Sequence, residues 1–385
     1  MLKVAIIGTG NISTRHIGAY LTFPERCKIV ALCDIFPEKA EAKKAEFGLK
    51  DAKVCASHRE LLDDPEIDLV SVCTPPYVHA EIAVDFLRAG KNVIVEKPMA
   101  ASLEECDQIL AAERESGKTL SVIAQNRFTN PYMHLKAILD GGKLGKIVHA
   151  QVDSYWWRGH CYYDLWWRGS WEKEGGGCTL NHAVHHIDML GWMMGLPESV
   201  TAVLSNASHD NAEVEDISIA AMRYPGGALA QVTSSVIHHG EEQQVIFQTE
   251  RARVSAPWKV YASLSKENGF PYRNEALEAE LQADYDALPD LPYTGHTAQI
   301  DNVMTAIETG TRPFIDGVSG RRTIEIIIAI YKSGFEGRTV ALPLQPDDPF
   351  YTVGGILKNV RHFYEKSASV ENLADSGITV GGDGK

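Results

Sequence analysis

The chain has 385 residues, of which 44% are hydrophobic and 23% charged, and its formal net charge is −14 at pH 7. A chain of this length exceeds one hydrophobic core, so two domains are expected. The acidic excess argues against a nucleic-acid partner, because phosphate binding rests on clusters of lysine and arginine. The apolar runs are too short to cross a bilayer, so no membrane partner is expected.

Cysteine usage and the amino terminus bear on the cellular compartment. Seven cysteines are present and none forms a Cys-x-x-Cys pair. An odd number without a regular framework favours reduced thiols. The chain enters a predicted strand at once, without the basic region, apolar stretch and cleavage site of a secretory signal. We therefore expect a cytoplasmic protein.

Short β-branched segments alternate with helix-like spacing of apolar residues over the first third of the chain. Nearly continuous apolar strands between helices are typical of a parallel sheet buried on both faces. The fold class is therefore predicted to be α/β, with an N-terminal doubly wound Rossmann domain over residues 1–126. The strand candidates are Lys3–Ile7, Lys28–Cys33, Lys53–Ala56, Leu69–Cys73, Asn92–Val95 and Leu120–Ala124.

The pattern changes after the helix candidate Pro131–Asp140, where strands lengthen and helices become rare. Turn sequences at 225–227 and 249–250 indicate hairpins of a mostly antiparallel sheet. Residues 127–345 are therefore predicted to form an α+β domain for substrate binding and oligomerisation, and 346–385 a partly flexible C-terminal extension. Helices are predicted at Thr179–Met194, Thr297–Glu308 and Arg321–Ser333, and an extended surface loop at Glu267–Tyr293.

A glycine turn follows the first strand candidate. Gly8 and Gly10 stand where a dinucleotide needs glycine, because its pyrophosphate approaches the backbone closely and binds helix N–H groups. Ser13 replaces the third glycine of the usual fingerprint, so the turn alone equally suits an ordinary tight turn. Asp34 ends the second strand, where an acid accepts hydrogen bonds from the adenosine ribose, although it could also cap the helix that follows. Together they predict a dinucleotide site, and the Asp34 carboxylate favours NAD over NADP.

Two further strand candidates end in Thr74-Pro75-Pro76 and Glu96-Lys97-Pro98. Ligands of open α/β sheets bind beyond the carboxyl ends of the strands, so these segments should border the nicotinamide. Lys97 could instead be a surface lysine at a strand end. The predicted cofactor-binding residues are Gly8, Thr9, Gly10, Asn11, Ile12, Asp34, Thr74, Pro75, Pro76, His79, Glu96, Lys97, Gln125, Trp167 and Arg168.

These segments, with Thr74-Pro75-x-x-x-His79 and residues 89–93, resemble the Gfo/Idh/MocA oxidoreductases, a family that includes glucose–fructose oxidoreductase and inositol dehydrogenases. The second domain continues the likeness in the run Glu174–Gly177, in Asn181-x-x-x-His185 and in Ile187-Asp188. The resemblance covers about residues 2–345. It implies association through the open face of the second sheet, so we expect a homodimer or homotetramer.

The resemblance also implies catalytic roles. Lys97 would anchor the reacting hydroxyl and His185 would exchange its proton. Asn181 stands where relatives often have aspartate, and the i, i+4 spacing predicts that it shares one helix face with His185. Because asparagine can hold a hydroxyl but cannot act as a base, proton transfer should rest on His185.

The histidine-rich helix also raises the hypothesis of a metal site. Cys178 and His182, like His182 and His186, are four residues apart, which suits a two-ligand face. No second cluster supplies the remaining ligands at a recognisable spacing, so no metal is predicted. His186 is expected to pack or to form a structural hydrogen bond.

An aromatic segment between Tyr155 and Trp171 holds five of the seven tryptophans and leads into the histidine helix. Aromatic faces can stack on sugar rings and arginines can donate to ring hydroxyls, but these residues could equally fill a domain seam or a subunit interface. His238 and His239 are weaker candidates. The predicted substrate-binding residues are Asn126, Arg127, Trp157, Arg158, Asn181, His182 and His185.

The main functional hypothesis is an NAD-dependent oxidoreductase acting on a secondary alcohol of a small-molecule sugar, glycoside or cyclitol. A second is a glycosidase of the same family type, which would use bound NAD for transient oxidation and elimination. A third is a non-catalytic dinucleotide sensor, against which the presence of both Lys97 and His185 speaks.

Overall fold

The computed structural model describes residues 1–371. Its first sheet has six parallel strands in the order β3-β2-β1-β4-β5-β6, which confirms the predicted Rossmann topology. The strands are β1 (Leu2–Ile7), β2 (Cys27–Cys33), β3 (Lys53–Cys55), β4 (Leu69–Val72), β5 (Asn92–Val95) and β6 (Leu120–Val122), and the helices are α1 (Ser13–Leu21), α2 (Pro37–Glu46), α3 (His79–Arg88), α4 (Leu103–Ser116) and α5 (Asn130–Asp140). The strand order reverses between β1 and β4, which opens a crevice at their carboxyl ends.

Strand β1 is buried because its alternate side chains serve two different cores. Val4 and Ile6 face a cluster with Ile17 of α1, whereas Ala5 and Ile7 face the cluster that contains Phe86 of α3. Both faces of the sheet are therefore covered, as the apolar strand sequences predict.

The second sheet has nine strands in the order β14-β13-β12-β11-β7-β10-β9-β8-β15. Only the pair β7 and β10 is parallel, so the prediction of a mostly antiparallel sheet is confirmed. The strands are β7 (Ile147–Tyr155), β8 (Ser199–Ser205), β9 (Ile217–Arg223), β10 (Leu229–Ser235), β11 (Gln243–Thr249), β12 (Ala252–Ala256), β13 (Lys259–Ser265), β14 (Pro271–Arg273) and β15 (Val340–Ala341). The helices after α5 are α6 (Trp171–Glu174), α7 (Cys178–Asn181), α8 (Val184–Met194), α9 (Glu275–Asp286), α10 (Gly295–Thr309), α11 (Gly317–Glu336) and α12 (Val353–Asn359).

The predicted single helix Thr179–Met194 is wrong, because the chain breaks between α7 and α8 at residues 182–183. Glu215 holds the start of α7: its carboxylate accepts the N–H groups of Gly177 and Thr179, both at 3.0 Å. The N–H of Ala183 bonds to the carbonyl of Cys178, five residues back, so the regular helical register is lost there. Residues 181 and 185 therefore do not share one helix face.

The predicted surface loop Glu267–Tyr293 is also wrong, because it contains β14 and α9. Asn274 caps α9 by accepting the N–H of Leu277 at 3.2 Å, and Leu277 and Leu281 are buried one turn apart. Two leucines in an acidic segment give only a weak helical pattern, which is why sequence analysis did not predict α9.

The chain returns to the first domain after the second sheet. Ile300, Val303 and Met304 of α10 belong to the same core cluster as Ile17, and Arg26 pairs with Glu308 at 2.8 Å. Residues 295–309 thus pack on the Rossmann domain, although the sequence assigned them to the second. Of the predicted C-terminal extension, residues 346–371 are described and pack through buried Phe350, while 372–385 lie outside the described residues. Within residues 1–371 no helix is both long and apolar enough to cross a membrane.

Candidate active site

A cleft of about 2230 Å³ runs between the carboxyl ends of the parallel strands and the second domain. One end is formed by the loops after β1 and β2, and the other by the aromatic segment and the residues around α7 and α8. Thirteen predicted cofactor residues line it, namely Gly8, Gly10, Asn11, Ile12, Asp34, Thr74, Pro75, Pro76, Glu96, Lys97, Gln125, Trp167 and Arg168. Six predicted substrate residues line it too, namely Asn126, Trp157, Arg158, Asn181, His182 and His185.

The glycine turn has the shape that a dinucleotide needs. Gly8 has φ +87°, and a Cβ there would lie 2.7 Å from the carbonyl oxygen of Cys73. A Cβ on Gly10 would meet nothing within 4 Å, so this backbone is open to the cleft. Ser13 is fully buried and donates its hydroxyl to the Gly10 carbonyl at 2.6 Å, which fixes the turn where the fingerprint has a third glycine.

Asp34 is presented to the cleft by its neighbours. Its Oδ2 accepts the N–H and the hydroxyl of Thr9, both at 2.8 Å, and its Oδ1 accepts the N–H of Phe36 at 3.0 Å. Thr9 is therefore buried behind the site rather than lining it. No side chain caps α2, so the helix-cap alternative for Asp34 does not apply. The carboxylate is half-buried and keeps acceptor capacity for a ribose hydroxyl.

Two of the predicted cofactor residues carry a buried polar atom without a partner among residues 1–371: the hydroxyl oxygen of Thr74 and the amide oxygen of Gln125. Such atoms are costly unless a ligand or water satisfies them. Together with the open backbone at Gly10, they fit a bound dinucleotide.

His79 acts behind the cleft. Its two ring nitrogens lie 2.7 Å from the carbonyl oxygen of Thr74 and 2.8 Å from that of Pro98. Burial lowers the pKa of this imidazole. His79 thus ties together the loops after β4 and β5, and the structure does not bring it to the cleft.

Lys97 is half-buried in the cleft and is not a surface lysine. Its ammonium donates to the main-chain carbonyl of Asn181 at 3.1 Å. Burial lowers the pKa of Lys97, and Arg168 adds to this effect while Glu96 opposes it. The Asn181 amide donates to the carbonyl of Gly176 at 2.9 Å. Asn181 therefore positions Lys97 through its main chain and holds the glycine run 175–177 through its side chain.

His185 lies at the same end of the cleft, and its imidazole makes no hydrogen bond with any residue in the described range 1–371. Burial, followed by the charges of Lys97 and His186, lowers the pKa of His185 well below its ordinary value. The ring is therefore neutral near pH 7, which is the form that can accept a proton.

Two side chains that were considered as metal ligands, those of His186 and Cys178, form hydrogen bonds with different partners. The His186 Nδ1 lies 2.9 Å from the Ser154 hydroxyl, as expected for a structural hydrogen bond, and the Cys178 thiol donates to the Ser234 carbonyl at 3.5 Å. Burial lowers the pKa of His186 to about 4.

A buried network around Glu96 was missed by sequence analysis. Its Oε1 lies 2.8 Å from Nε2 of His16 and 3.3 Å from Nε2 of His296, while its Oε2 accepts the N–H of Lys97 at 3.1 Å. Burial opposes protonation of His16, but Cys73 and Glu96 raise its pKa to about 10. Burial also opposes ionisation of Glu96, yet the two imidazoles hold its pKa well below its usual range. The only sequence signal was a histidine on the apolar face of α1.

The aromatic segment forms the far wall of the cleft. The guanidinium of Arg168 lies 4.0 Å from the ring centre of Tyr162 and 4.2 Å from that of Trp167. Arg158 lies 5.4 Å from the ring centre of Trp156. Arginine planes are thus held against aromatic faces at the substrate end.

The tryptophans divide between the domain seam, the core and the cleft. Trp166 packs edge-on against Tyr77 of the first domain at 6.4 Å, so it fills the domain seam. Trp171 is buried against Tyr331, whereas Trp157 borders the cleft with 45% of its surface exposed.

Arg127 is the one predicted substrate residue that the structure does not bring to the cleft. It is buried, and Nε and Nη2 donate to the carboxylate of Asp188 at 2.8 and 2.7 Å. This ion pair joins the segment after β6 to α8. Of the two weaker candidates, His239 borders the cleft, while His238 stacks on Tyr155 at 4.2 Å.

Comparison with known proteins agrees with this geometry. Residues 2–124 match the model of an oxidoreductase family with an NAD-binding Rossmann fold, and residues 132–255 match the GFO/IDH/MocA C-terminal domain. The chain belongs to the Gfo/Idh/MocA oxidoreductase family.

Individual members of the Gfo/Idh/MocA family show how far the likeness extends. An uncharacterized oxidoreductase of Streptococcus pneumoniae is 31% identical over 56% of this chain and 57% of its own length. The scyllo-inositol 2-dehydrogenase (NADP(+)) IolW of Bacillus subtilis is 33% identical over 56% of this chain and 58% of its own. The WlbA dehydrogenase of Bordetella pertussis, solved with NADH and UDP-GlcNAcA, superposes with a TM-score of 0.75 at 28% identity over 89% of this chain and 99% of that one. The chain thus spans less than two thirds of the first two relatives.

Proposed function

We propose that the protein is an NAD-dependent oxidoreductase that transfers hydride between a secondary alcohol of a sugar, glycoside or cyclitol and the nicotinamide. The observation that carries this proposal is the pair formed by half-buried Lys97 and neutral His185 at one end of the dinucleotide cleft. A sensor needs no such pair, so the non-catalytic alternative is disfavoured.

The side chains divide the work. Lys97 binds the reacting oxygen and stabilises the charge that develops on it, and His185 removes the hydroxyl proton. NAD, when bound, supplies the hydride acceptor. Asn181 holds Lys97 in place, and the arginines and tryptophans of the aromatic segment orient the substrate ring.

Asp34 supports NAD rather than NADP as the cofactor. A carboxylate at this place repels a 2′-phosphate and can accept hydrogen bonds from the ribose. The relative IolW is named as an NADP(+) dehydrogenase, so the preference for NAD follows from Asp34 of this chain and not from that relative.

The test is to incubate the purified protein with NAD and a panel of sugars, glycosides and inositols and to follow NADH absorbance. We expect reduction with at least one member, and its loss in Lys97→Met, with unchanged activity in the surface variant Arg88→Gln. Cofactor that co-purifies and glycoside cleavage without net NADH would instead support the glycosidase. Activity retained in Lys97→Met would contradict the catalytic role assigned to Lys97.

We also propose a cytoplasmic homodimer or homotetramer. Six of the seven cysteines are buried and all seven are free, which suits a reducing compartment. The second sheet exposes large hydrophobic side chains that a subunit contact could cover. At least half of the surface is exposed in Val203 (65%), Ile219 (50%) and Tyr261 (56%). Light scattering that shows only monomer would contradict the assembly.

A further inference from the structure

The substrate end of the cleft is cationic although the chain as a whole carries a formal charge of −14. Lys97, Arg158 and Arg168 all line this end. Both arginines contribute to lowering the pKa of Lys97 and of His182, after the larger effect of burial, so their charges reach the reacting end. Such a concentration of positive charge in an acidic protein indicates a local function.

The acidic neighbours offset this charge only in part. Arg158 pairs with Glu241 at 2.6 Å. Arg168 lies 3.2 Å from Glu174, but burial raises the pKa of Glu174 to about 7, so this carboxyl is partly protonated near neutrality. The charge of Glu96 beside Lys97 is already engaged by His16 at 2.8 Å. Because the Glu96 carboxylate is shared between Lys97 and His16, the charges of Lys97 and Arg168 are compensated only in part.

The two guanidinium groups are also pre-positioned donors. Their centres lie 5.7 Å (Arg158) and 4.0 Å (Arg168) from the ring centre of Tyr162, so they flank one aromatic ring. In the hydrogen bonds of the described residues both arginines donate through Nη1, to Trp157 and Glu241 in one case and to Tyr162 and Glu174 in the other. Each guanidinium carries five N–H groups and both residues line the cleft, so donors remain for an acceptor there. Guanidinium planes held in this way match the two oxygens of a carboxylate.

We propose that the substrate carries a carboxylate on the ring that is oxidised, as a uronic acid does, and that Arg158 and Arg168 bind this group. The proposal rests on the proposed function, because it names the substrate class of that same site. A neutral hydroxyl could accept these hydrogen bonds but would leave the positive charge unopposed. Glu241 and Glu174 already offset part of the positive charge of the two arginines. The charge that remains is therefore better matched by the single negative charge of a carboxylate than by a phosphate dianion.

The test is a binding titration of the NADH-loaded protein with matched ligands, read by tryptophan fluorescence. Each pair compares a neutral sugar with its uronic acid: glucose with glucuronate, galactose with galacturonate, and a UDP-linked N-acetylhexosamine with its uronate, together with hexose 6-phosphates. We expect at least one uronate to bind about tenfold more tightly than its neutral counterpart. This preference should fall to about twofold or less in Arg168→Gln and in Arg158→Gln, and persist in Arg88→Gln.

The outcomes separate this proposal from the one on which it rests. Equal binding of acid and neutral sugars, a preference that survives in both arginine variants, tighter binding of a hexose phosphate, or no binding across the panel would each overturn the carboxylate. Oxidation of neutral sugars without a preference for acids would leave the dehydrogenase standing and the carboxylate refuted. Tight uronate binding without turnover would refute the dehydrogenase and leave only the binding of the carboxylate by the two arginines. Arg168→Lys, which keeps the charge but not the fork, should retain part of the preference.

Discussion

The ammonium of Lys97 and the main-chain carbonyl oxygen of Asn181 are 3.1 Å apart, so residues from the two domains meet at the reacting end of the cleft. A main-chain acceptor cannot be removed by mutation, but the amide that anchors it to Gly176 can. We expect Asn181→Ala to lower kcat about tenfold with NAD affinity unchanged, because Lys97 loses its fixed position. The alkaline limb of the pH–rate profile should move to higher pH as Lys97 becomes better hydrated. A fall in kcat without that shift would mean a merely structural role.

The pH dependence of kcat/KM for alcohol oxidation should be bell-shaped. His185 must be neutral, and its pKa is lowered well below 6.5, so the rate should rise along an acid limb that lies below pH 6.5. Lys97 must be charged, and its pKa is lowered from 10.5, so the rate should fall along a limb below pH 10.5. His185→Gln should abolish the acid limb and lower kcat roughly 10²-fold or more. An acid limb centred above pH 6.5 would contradict the role of His185.

The two glycines of the turn should respond differently to alanine. Gly8→Ala places a Cβ 2.7 Å from the Cys73 carbonyl at a residue with φ +87°, so we expect a loss of about 2 kcal/mol in the free energy of unfolding. Gly10→Ala meets nothing within 4 Å and should leave stability unchanged while weakening NAD binding. Denaturant unfolding and NADH titration of both variants measure this contrast. Equal stability of the two variants would refute the close-approach argument.

Asp34 should control the choice of cofactor. In Asp34→Ser we expect NAD to bind about tenfold more weakly and NADP relatively better, because the carboxylate that repels a 2′-phosphate is gone. The measurement is the ratio of kcat/KM for the two cofactors. The matched control is Glu38→Ser, which removes a carboxylate from the first turn of α2, four residues after Asp34. An unchanged ratio would show that another residue reads the ribose.

The buried pair of Glu96 and His16 should make stability depend on pH. The pKa of Glu96 is lowered in the folded state, so its contribution is present above pH 4.5 and is lost as the pH falls. The pKa of His16 is raised to about 10, so its contribution is complete below pH 6.5 and is lost as the pH rises through 10. Glu96→Gln should therefore cost most between about pH 4.5 and 6.5, on the order of 3 kcal/mol. A cost that does not vary with pH would show that no ion pair forms.

The alternation of strands and helices predicted the first domain closely, because a sheet buried on both faces leaves a strong apolar pattern. The break between α7 and α8 could not be predicted in the same way. It depends on the carboxylate of Glu215, which is distant in sequence and fixes the start of α7. A local periodicity does not contain such a contact.

In the candidate site too, residues placed by local pattern could be predicted, whereas residues placed by contacts distant in sequence could not. Gly8, Asp34 and Lys97 follow strands directly, so their places could be predicted from strand ends. His16 and His296 could not be linked to Glu96, since 280 residues separate the two histidines and only the return of the chain brings them together. The ion pair that holds Arg127 away from the cleft could not be predicted either, because its partner Asp188 lies 61 residues further along the chain.

The return of α10 to the first domain has a consequence for any attempt to dissect the molecule. The side chains of Ile300, Val303 and Met304 complete a core begun by Ile17, and His296 reaches the Glu96 that precedes the reacting lysine. A fragment ending near residue 126 would expose that core and would lack His296, a hydrogen-bond partner of the buried Glu96. The core between β1 and α1 is thus completed by side chains that are synthesised only after the strands β7–β14 of the second sheet.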